Sequence, residues 1–521
     1  MTAGYDVAVV GSGFGGGPAA LRAVQAGASV VVLERGKRYD RRPGSVEFRQ
    51  TQSDLGYLLE LWGMDAGFDW DTNRASVVLG GRGLGGGSLI YSMVSLRAPS
   101  FVFDDPVWPA EVTRSELDPF YERAERQLGV VQLQWEGDRP ADDWKMTSKR
   151  DTAFATACGR AGVTCDPVPV AVNSECGNLG WCSTGCVRHG KASVDLQYLV
   201  PAEDLGAVLR TSVEVTLVQP APASSGRRWQ LTIRSGGSGS TETLLADSVI
   251  VAAGAVGSPV LLLRSAGHLP GGISAQTGHN LSRGGDLVIP VVLPDDLDLG
   301  PAGDADDLEM LPGKIIGSCS FHHLFEPPPG FGPDWQRFVM QPMMFLPIVS
   351  SLLVADPDGI TPEGGDMRSF GAGHKRLMEK WGSRLLHIGI MGVDGMDGRV
   401  AIDDSGAPIV GFGTSDATRR LFDGARAAAR HIFEGDLGGR VLPTWDQLRG
   451  DVLAIHPLGT CRMADGPDLG VIDHRCRVFR RDGAVHEGLY VMDASTYSSP
   501  IAVNTSLTAA AIAERAMSLM F

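Results

Sequence analysis

No apolar run in the 521 residues reaches the ~20 that a membrane-spanning helix needs. Nor does the N-terminus carry a signal-peptide pattern, because it enters an apolar strand at once. Both absences point to a cytoplasmic protein without a membrane span. Basic residues are also scarce: 46 Lys and Arg face 61 Asp and Glu, for a formal charge of −15. Phosphate backbones are bound by clustered Lys and Arg, so this balance argues against a nucleic-acid partner. Eight cysteines are too few for a disulfide framework in so long a chain. What is present, 43% hydrophobic and 21% charged residues, is an ordinary globular mixture. Its length suggests two or three domains, enough to enclose a cofactor.

The most informative stretch runs from Tyr5 to Glu34. Val7 to Val10 are apolar without alternation, as in a strand buried on both faces of a parallel sheet. They end in Gly11-Ser12-Gly13-Phe14-Gly15-Gly16. Gly11 permits a tight turn, Gly13 lets backbone amides approach a pyrophosphate, and Gly16 lets the next helix pack on the strand. That helix is expected from about Gly17 to Ala26, and a second strand, Ser29 to Leu33, ends on Glu34. A carboxylate there can accept hydrogen bonds from a ribose diol. Strand, glycines, helix, strand and acid together predict a dinucleotide site, with NAD and FAD both open.

A second glycine loop, Gly80 to Gly87 followed by Ser88, suits backbone lying against a large ligand, with a helix expected from about Leu89. Gly81, Gly86, Gly87 and Ser88 are its candidate contacts. Two such loops favour a ligand larger than a mononucleotide, hence FAD. Further on, Ser115 to Leu128 reads as an amphipathic helix, and residues 137–151 as a polar surface excursion. Trp229 to Arg234 and Thr243 to Leu245 read as a hairpin. A buried strand from Ser248 enters Ala253-Gly254, and Ser258-Pro259 is expected to start a helix.

From about Asp286 the pattern changes to short strands, Leu287 to Val292, Lys314 to Ser320, Arg337 to Leu346 and Arg384 to Met391. One helix is expected over Ser369 to Trp381 and a longer one over Thr414 to Phe433. The domains expected are therefore 1–285, with an insertion at about 137–200, then 286–445, then a return over 446–521. The fold class is α/β: a mostly parallel nucleotide-binding sheet and a substrate domain on a mixed, largely antiparallel one.

Two polar residues stand in apolar surroundings near the C-terminus, His456 before Pro457-Leu458-Gly459-Thr460 and Asn504 before Thr505. Taken alone, each has a structural explanation, a core histidine and a helix N-cap. Together with the two glycine loops, Ala252 to Ala255, Ser258-Pro259 and Asp493, they make the chain resemble the glucose–methanol–choline family of FAD oxidoreductases. Within that family it resembles the branch of cholesterol oxidases and long-chain alcohol oxidases.

That resemblance implies a Rossmann-type FAD domain and oxidation of a CH–OH group of an apolar or natural-product alcohol. It implies that His456 takes the hydroxyl proton while hydride passes to flavin N5, and that Asn504 orients the substrate oxygen. Thr505 would open a helix pointing at the flavin pyrimidine, Asp493 would bond cofactor hydroxyls, and Val215 would meet adenine through its backbone. No histidine lies between Gly81 and Met93, so noncovalent FAD is expected. Gln341 falls where cholesterol oxidases place a proton-shuttling glutamate, which favours simple oxidation without isomerisation. The electron acceptor is O2 or another acceptor. A dehydrogenase serving a protein or quinone, and a redox-neutral lyase or isomerase, remain the alternatives. The oligomeric state stays open.

Cys176, Cys182 and Cys186 form a C-x5-C-x3-C row, similar to a fuller row in this branch with Leu179 in place of one cysteine. Thiolates so spaced can hold an iron–sulfur cluster, whereas free thiols or a single disulfide are the plainer readings.

Overall fold

The structure is a computed structural model describing residues 4–49, 54–69, 74–135, 144–237, 239–297, 299, 313–345, 350, 381–444, 446–447 and 452–521. The chain opens with β1 (Gly4–Val10) and β2 (Val30–Leu33), parallel and joined by α1 (Gly16–Gln25). Both strands are buried over their apolar runs because neighbours cover both faces. After α2 (Arg114–Leu128) and α3 (Lys149–Arg160), the chain returns to the sheet. It does so as β3 (Val208–Arg210), β4 (Val213–Pro220), β5 (Trp229–Ser235) and β6 (Thr241–Val251). The β3 strand pairs with β2 and β6 with β1, both parallel, while β4, β5 and β6 form an antiparallel meander. The expected hairpin strand at Thr243 and the strand from Ser248 are thus one continuous strand.

A second sheet contains β7 (Leu287–Val292), β8 (Phe338–Met343), β9 (Leu385–Gly392) and β10 (Arg440–Val441). Their order is β8-β9-β7-β10, antiparallel throughout. One face, with Met340, Ile388, Ile390 and Ile289, packs on the apolar stripe of α5 (Asp416–Phe433) and on Phe154 of α3. The strand expected over Lys314 to Ser320 shortens to Ser318–Cys319 and pairs with Asp166–Pro167 instead. The helix expected over Ser369 to Trp381 lies outside the described residues except for Trp381. Finally β11 (Arg477–Phe479) and β12 (Val485–Val491) rejoin the first sheet, β12 parallel to β6, giving the order β11-β12-β6-β1-β2-β3. The chain ends in α6 (Ser506–Met520).

Three local expectations need correction. The helix expected at Pro259 begins at Gly254, so Pro259 lies inside α4 (Gly254–Ser265). Proline has no N–H to give the carbonyl four residues earlier; the Thr460 hydroxyl supplies that donor to Ala255 O at 2.6 Å. No helix follows Leu89; one 3₁₀ turn, Gly86–Leu89, ends there. Asp151 is not on a surface excursion but fully buried. It closes a capping box with Ser148 at the start of α3 and accepts from Gly317 N and Ser318 Oγ, each at 3.0 Å.

The C-terminal helix is anchored to the first one by a buried charge. Glu514, fully buried, accepts from Arg22 Nε at 2.7 Å and Nη2 at 2.8 Å, and from Tyr198 Oη at 3.2 Å. Glu514→Ala leaves Arg22 with neither carboxylate bond and is expected to cost about 3 kcal/mol. Scanning calorimetry checks this, and an unchanged unfolding midpoint contradicts the anchoring role.

Candidate active site

The two glycine loops meet backbone to backbone. A Cβ on Gly86 would lie 2.8 Å from the Gly13 Cα, and one on Gly81 would lie 2.1 Å from Gly86 O. Gly11, at φ +95°, would put a Cβ 2.3 Å from Ala252 O, and Gly16 would put one 2.1 Å from Gly11 O. Side chains are therefore excluded where β1, β6 and α1 converge. Ser12, which the sequence reading passed over, ties the site together: its hydroxyl donates to Glu34 Oε2 at 2.6 Å and accepts from Gly85 N at 3.0 Å. Glu34 Oε1 accepts from Gly36 N at 2.8 Å. Burial pushes the Glu34 carboxyl up, and these two donors oppose that shift.

The remaining cofactor candidates lie around this junction. Phe14 meets Tyr91 edge-on at 5.1 Å. The Ser88 hydroxyl is committed to Gly85 O at 2.7 Å and to Val194 N at 2.9 Å, whereas Gly87 faces open space. Val215 is buried on β4, two residues beyond Val213, whose N–H donates to Glu34 O at 3.0 Å. Ala253 N donates to Ser258 Oγ at 3.0 Å and Gly254 N to Asp493 Oδ2 at 2.8 Å. Asp493 also accepts from Ser258 Oγ at 2.5 Å and from Ser495 N at 2.8 Å. Thr505 is the N-cap of α6 and makes no side-chain capping bond; the same is true of Gly15 at α1. Two helix N-termini thus keep their first amides free of side-chain caps, which suits an anionic or carbonyl-bearing ligand.

His456 is placed by Asp286, a residue the sequence reading missed. Asp286 Oδ2 accepts from Ile455 N at 2.5 Å and His456 N at 2.7 Å, and Oδ1 lies 2.7 Å from His456 Nδ1. A carboxylate there calls for a proton on Nδ1 and leaves the Nε2 lone pair available. Asp286 follows Gly284 and Gly285, both at φ +72°. A Cβ on Gly284 would lie 2.8 Å from the His456 Cβ, and one on Gly285 would lie 2.4 Å from Gly392 N. The adjacent glycines Gly284 and Gly285, one residue ahead of the apolar run from Leu287, are the signal in the sequence for a tight junction here, though not for the role of the aspartate.

Asn504 is placed by Gln341. The buried Gln341 Nε2 donates to Asn504 Oδ1 at 3.0 Å, which leaves the Asn504 amide N–H groups as donors. Ala502, two residues before, is held in the left-handed region at φ 59°, a strained backbone that aims the turn into α6. In the second sheet Val288, Gly389 and Gln341 lie in one row across β7, β9 and β8. At the usual strand spacing Gln341 is roughly 10 Å from the start of β7. One sheet therefore carries both supports, Asp286 for His456 and Gln341 for Asn504. A cavity of about 60 Å³ borders His456, Asp286, Val288, Gly389, Met343 and Met391.

The iron–sulfur expectation is not supported. Among the described residues no group of three or more His, Cys, Asp or Glu could hold a metal ion, and all eight cysteines are free thiols. Burial pushes the Cys182 thiol up to about 11. The segment is instead pinned by Lys191, whose ammonium donates to Cys182 O at 2.8 Å.

Comparison with known proteins finds relatives along nearly the whole chain. Family models described as GMC oxidoreductase match residues 11–283 and 396–513. A cholesterol oxidase of Mycobacterium tuberculosis is 29% identical, over 100% of this chain and 91% of its own length. A long-chain-alcohol oxidase of Arabidopsis thaliana is 24% identical, over 96% of this chain and 65% of its own. The crystal structure of pyridoxine 4-oxidase from Mesorbium loti shares the fold at TM-score 0.68 and 17% identity, covering 99% of this chain and 98% of that one.

The Asp286 geometry yields a direct test. In Asp286→Asn the amide oxygen can keep the two backbone bonds, turning its NH2 toward Nδ1 and driving the imidazole proton to Nε2. Anaerobic flavin reduction by an alcohol is expected to slow by at least ~10²-fold with FAD content unchanged. Retention of the wild-type rate contradicts the orienting role.

Proposed function

The chain belongs to the GMC oxidoreductase family, and on that premise we propose that it oxidises the CH–OH group of an apolar or natural-product alcohol. His456 is the base and Asn504 the orienting donor in this reading. The observation that carries it is the Asp286–His456 pair, which presents an acceptor nitrogen beside a cavity.

The residues present fit FAD. Glycine backbones at Gly11, Gly13, Gly81, Gly86 and Gly87 keep side chains from the pyrophosphate path, and α1 offers uncapped amides there. Glu34 and Val215 would hold the adenosine end, and Asp493 with Ala253 and Gly254, joined by the Gly254 N–H bond to Asp493 Oδ2, would hold the stretch between adenosine and flavin. Thr505 and the uncapped start of α6 would face the pyrimidine end of the flavin. FAD supplies the hydride acceptor when bound. His456 accepts the substrate hydroxyl proton at Nε2, and Asp286 stabilises the imidazolium that forms. Asn504 donates to the substrate oxygen as charge builds there, with Gln341 holding the amide in that sense. Gln341 bears no titratable proton, which fits oxidation without double-bond isomerisation.

The names of the relatives favour O2 as electron acceptor. Peroxide released together with a carbonyl product supports the oxidase. Carbonyl product only with an added acceptor indicates a dehydrogenase, and rearranged substrate without either indicates a lyase or isomerase. His456→Ala is expected to retain bound FAD and to lose orders of magnitude in the rate of flavin reduction by an alcohol. Unchanged reduction contradicts the assignment.

A further inference from the structure

Residues opposite one another in the second sheet share a face. Val339 and Met391 form one row, Gln341, Gly389 and Val288 the next, and Met343, His387 and Pro290 the third. This face lies opposite the one that packs on α5, and it carries Gln341. The cavity beside His456 borders Val288, Gly389 and Met343 on this face and also reaches Leu287, Ile390 and Phe422 on the α5 side. Its central position has no side chain, because residue 389 is glycine. A Cβ there would lie 2.1 Å from Met343 Sδ and 3.0 Å from Met343 Cγ. The half-buried Met343 side chain therefore folds back over Gly389, out of its own row and into the row of Gln341. The cross-strand partner of Met343 is His387, 3% exposed, meeting Phe345 edge-on at 5.3 Å.

We propose that Met343, lying in the space that Gly389 leaves empty, determines which alcohols the site accepts. Its thioether limits the room between His456 and the row that supports Asn504, so compact alcohols are favoured over fused-ring sterols. Met343 and His456 border the same cavity, so the side chain at 343 reaches the space next to the reacting imidazole. An unbranched thioether moves among rotamers at little cost, so the limit is adjustable by substitution at 343 or 389 without rebuilding the sheet. His387 would form the back wall once Met343 is shortened. Burial depresses its imidazole to about 4, so the wall is uncharged at neutral pH.

This inference rests on the alcohol-oxidising reading, and one experiment separates the two. Anaerobic flavin reduction by the FAD-loaded protein is followed with alcohols graded in bulk from butan-1-ol to cholesterol. Wild type, Met343→Ala, Met343→Leu and Gly389→Ala are compared. Met343→Ala is expected to raise the kcat/KM ratio of bulky to compact alcohols at least ~10-fold, mainly through KM. Met343→Leu, of similar volume, is expected to keep the wild-type ratio, and Gly389→Ala to lower it by pushing the thioether forward. A wild type that takes cholesterol as efficiently as compact alcohols overturns the inference. So does an unchanged ratio in Met343→Ala, a variant at a half-buried position that need not compromise folding. Flavin that no alcohol reduces overturns the alcohol-oxidising reading, and this inference with it.

Discussion

The carboxylate of Asp286 accepts from two consecutive backbone amides, of Ile455 and His456, and from the His456 ring, within 2.5 to 2.7 Å. Each such charge-assisted bond is worth roughly 1.5–3 kcal/mol, and losing one partner would strand a partly buried charge. The site depends on this contact because it fixes three things at once. It sets the entry of the chain into β7, the path of the strand before His456, and the ring nitrogen that stays free. Gly284 and Gly285 make the approach possible, since no side chain fits between this turn and His456 or Gly392.

From that contact the second sheet works as a two-sided mount. One face is ordinary core, packed on α5 and α3, and holds the strands rigid. The other carries the supports of the two proposed reacting groups, Asp286 beside β7 and Gln341 on β8. The reacting residues themselves come from the C-terminal segment, which α6 clamps to α1 through Arg22 and Glu514. Positioning groups and reacting groups thus arrive from different parts of the chain and meet between the second sheet and the C-terminal segment. This lets rigid elements fix both partners of each hydrogen bond.

The nucleotide half was legible because its requirements are local. Gly11, Gly13 and Gly16 must lack side chains where strand and helix touch, and the apolar runs at Val7 and Val30 must be buried, so spacing alone carried the message. His456 and Asn504 were legible only as members of a set of motifs. Asp286 was not legible, since an aspartate ahead of a strand looks like any turn residue and its partner lies 170 positions away. Gln341 was noticed through resemblance, but its bond to Asn504 spans 163 positions and no periodicity encodes it. Asp151 and Pro259 misled for a similar reason. A buried cap and a donor borrowed from Thr460 override the usual meaning of a polar stretch and of a proline.

If Asp286 acts only through His456, its effect on flavin reduction must vanish when the imidazole is gone. The decisive measurement is a double-mutant cycle of Asp286→Asn and His456→Ala, read as the anaerobic rate of flavin reduction by one alcohol in the FAD-loaded protein. The expected result is a double variant no slower than His456→Ala alone. Losses that simply add would contradict the coupling.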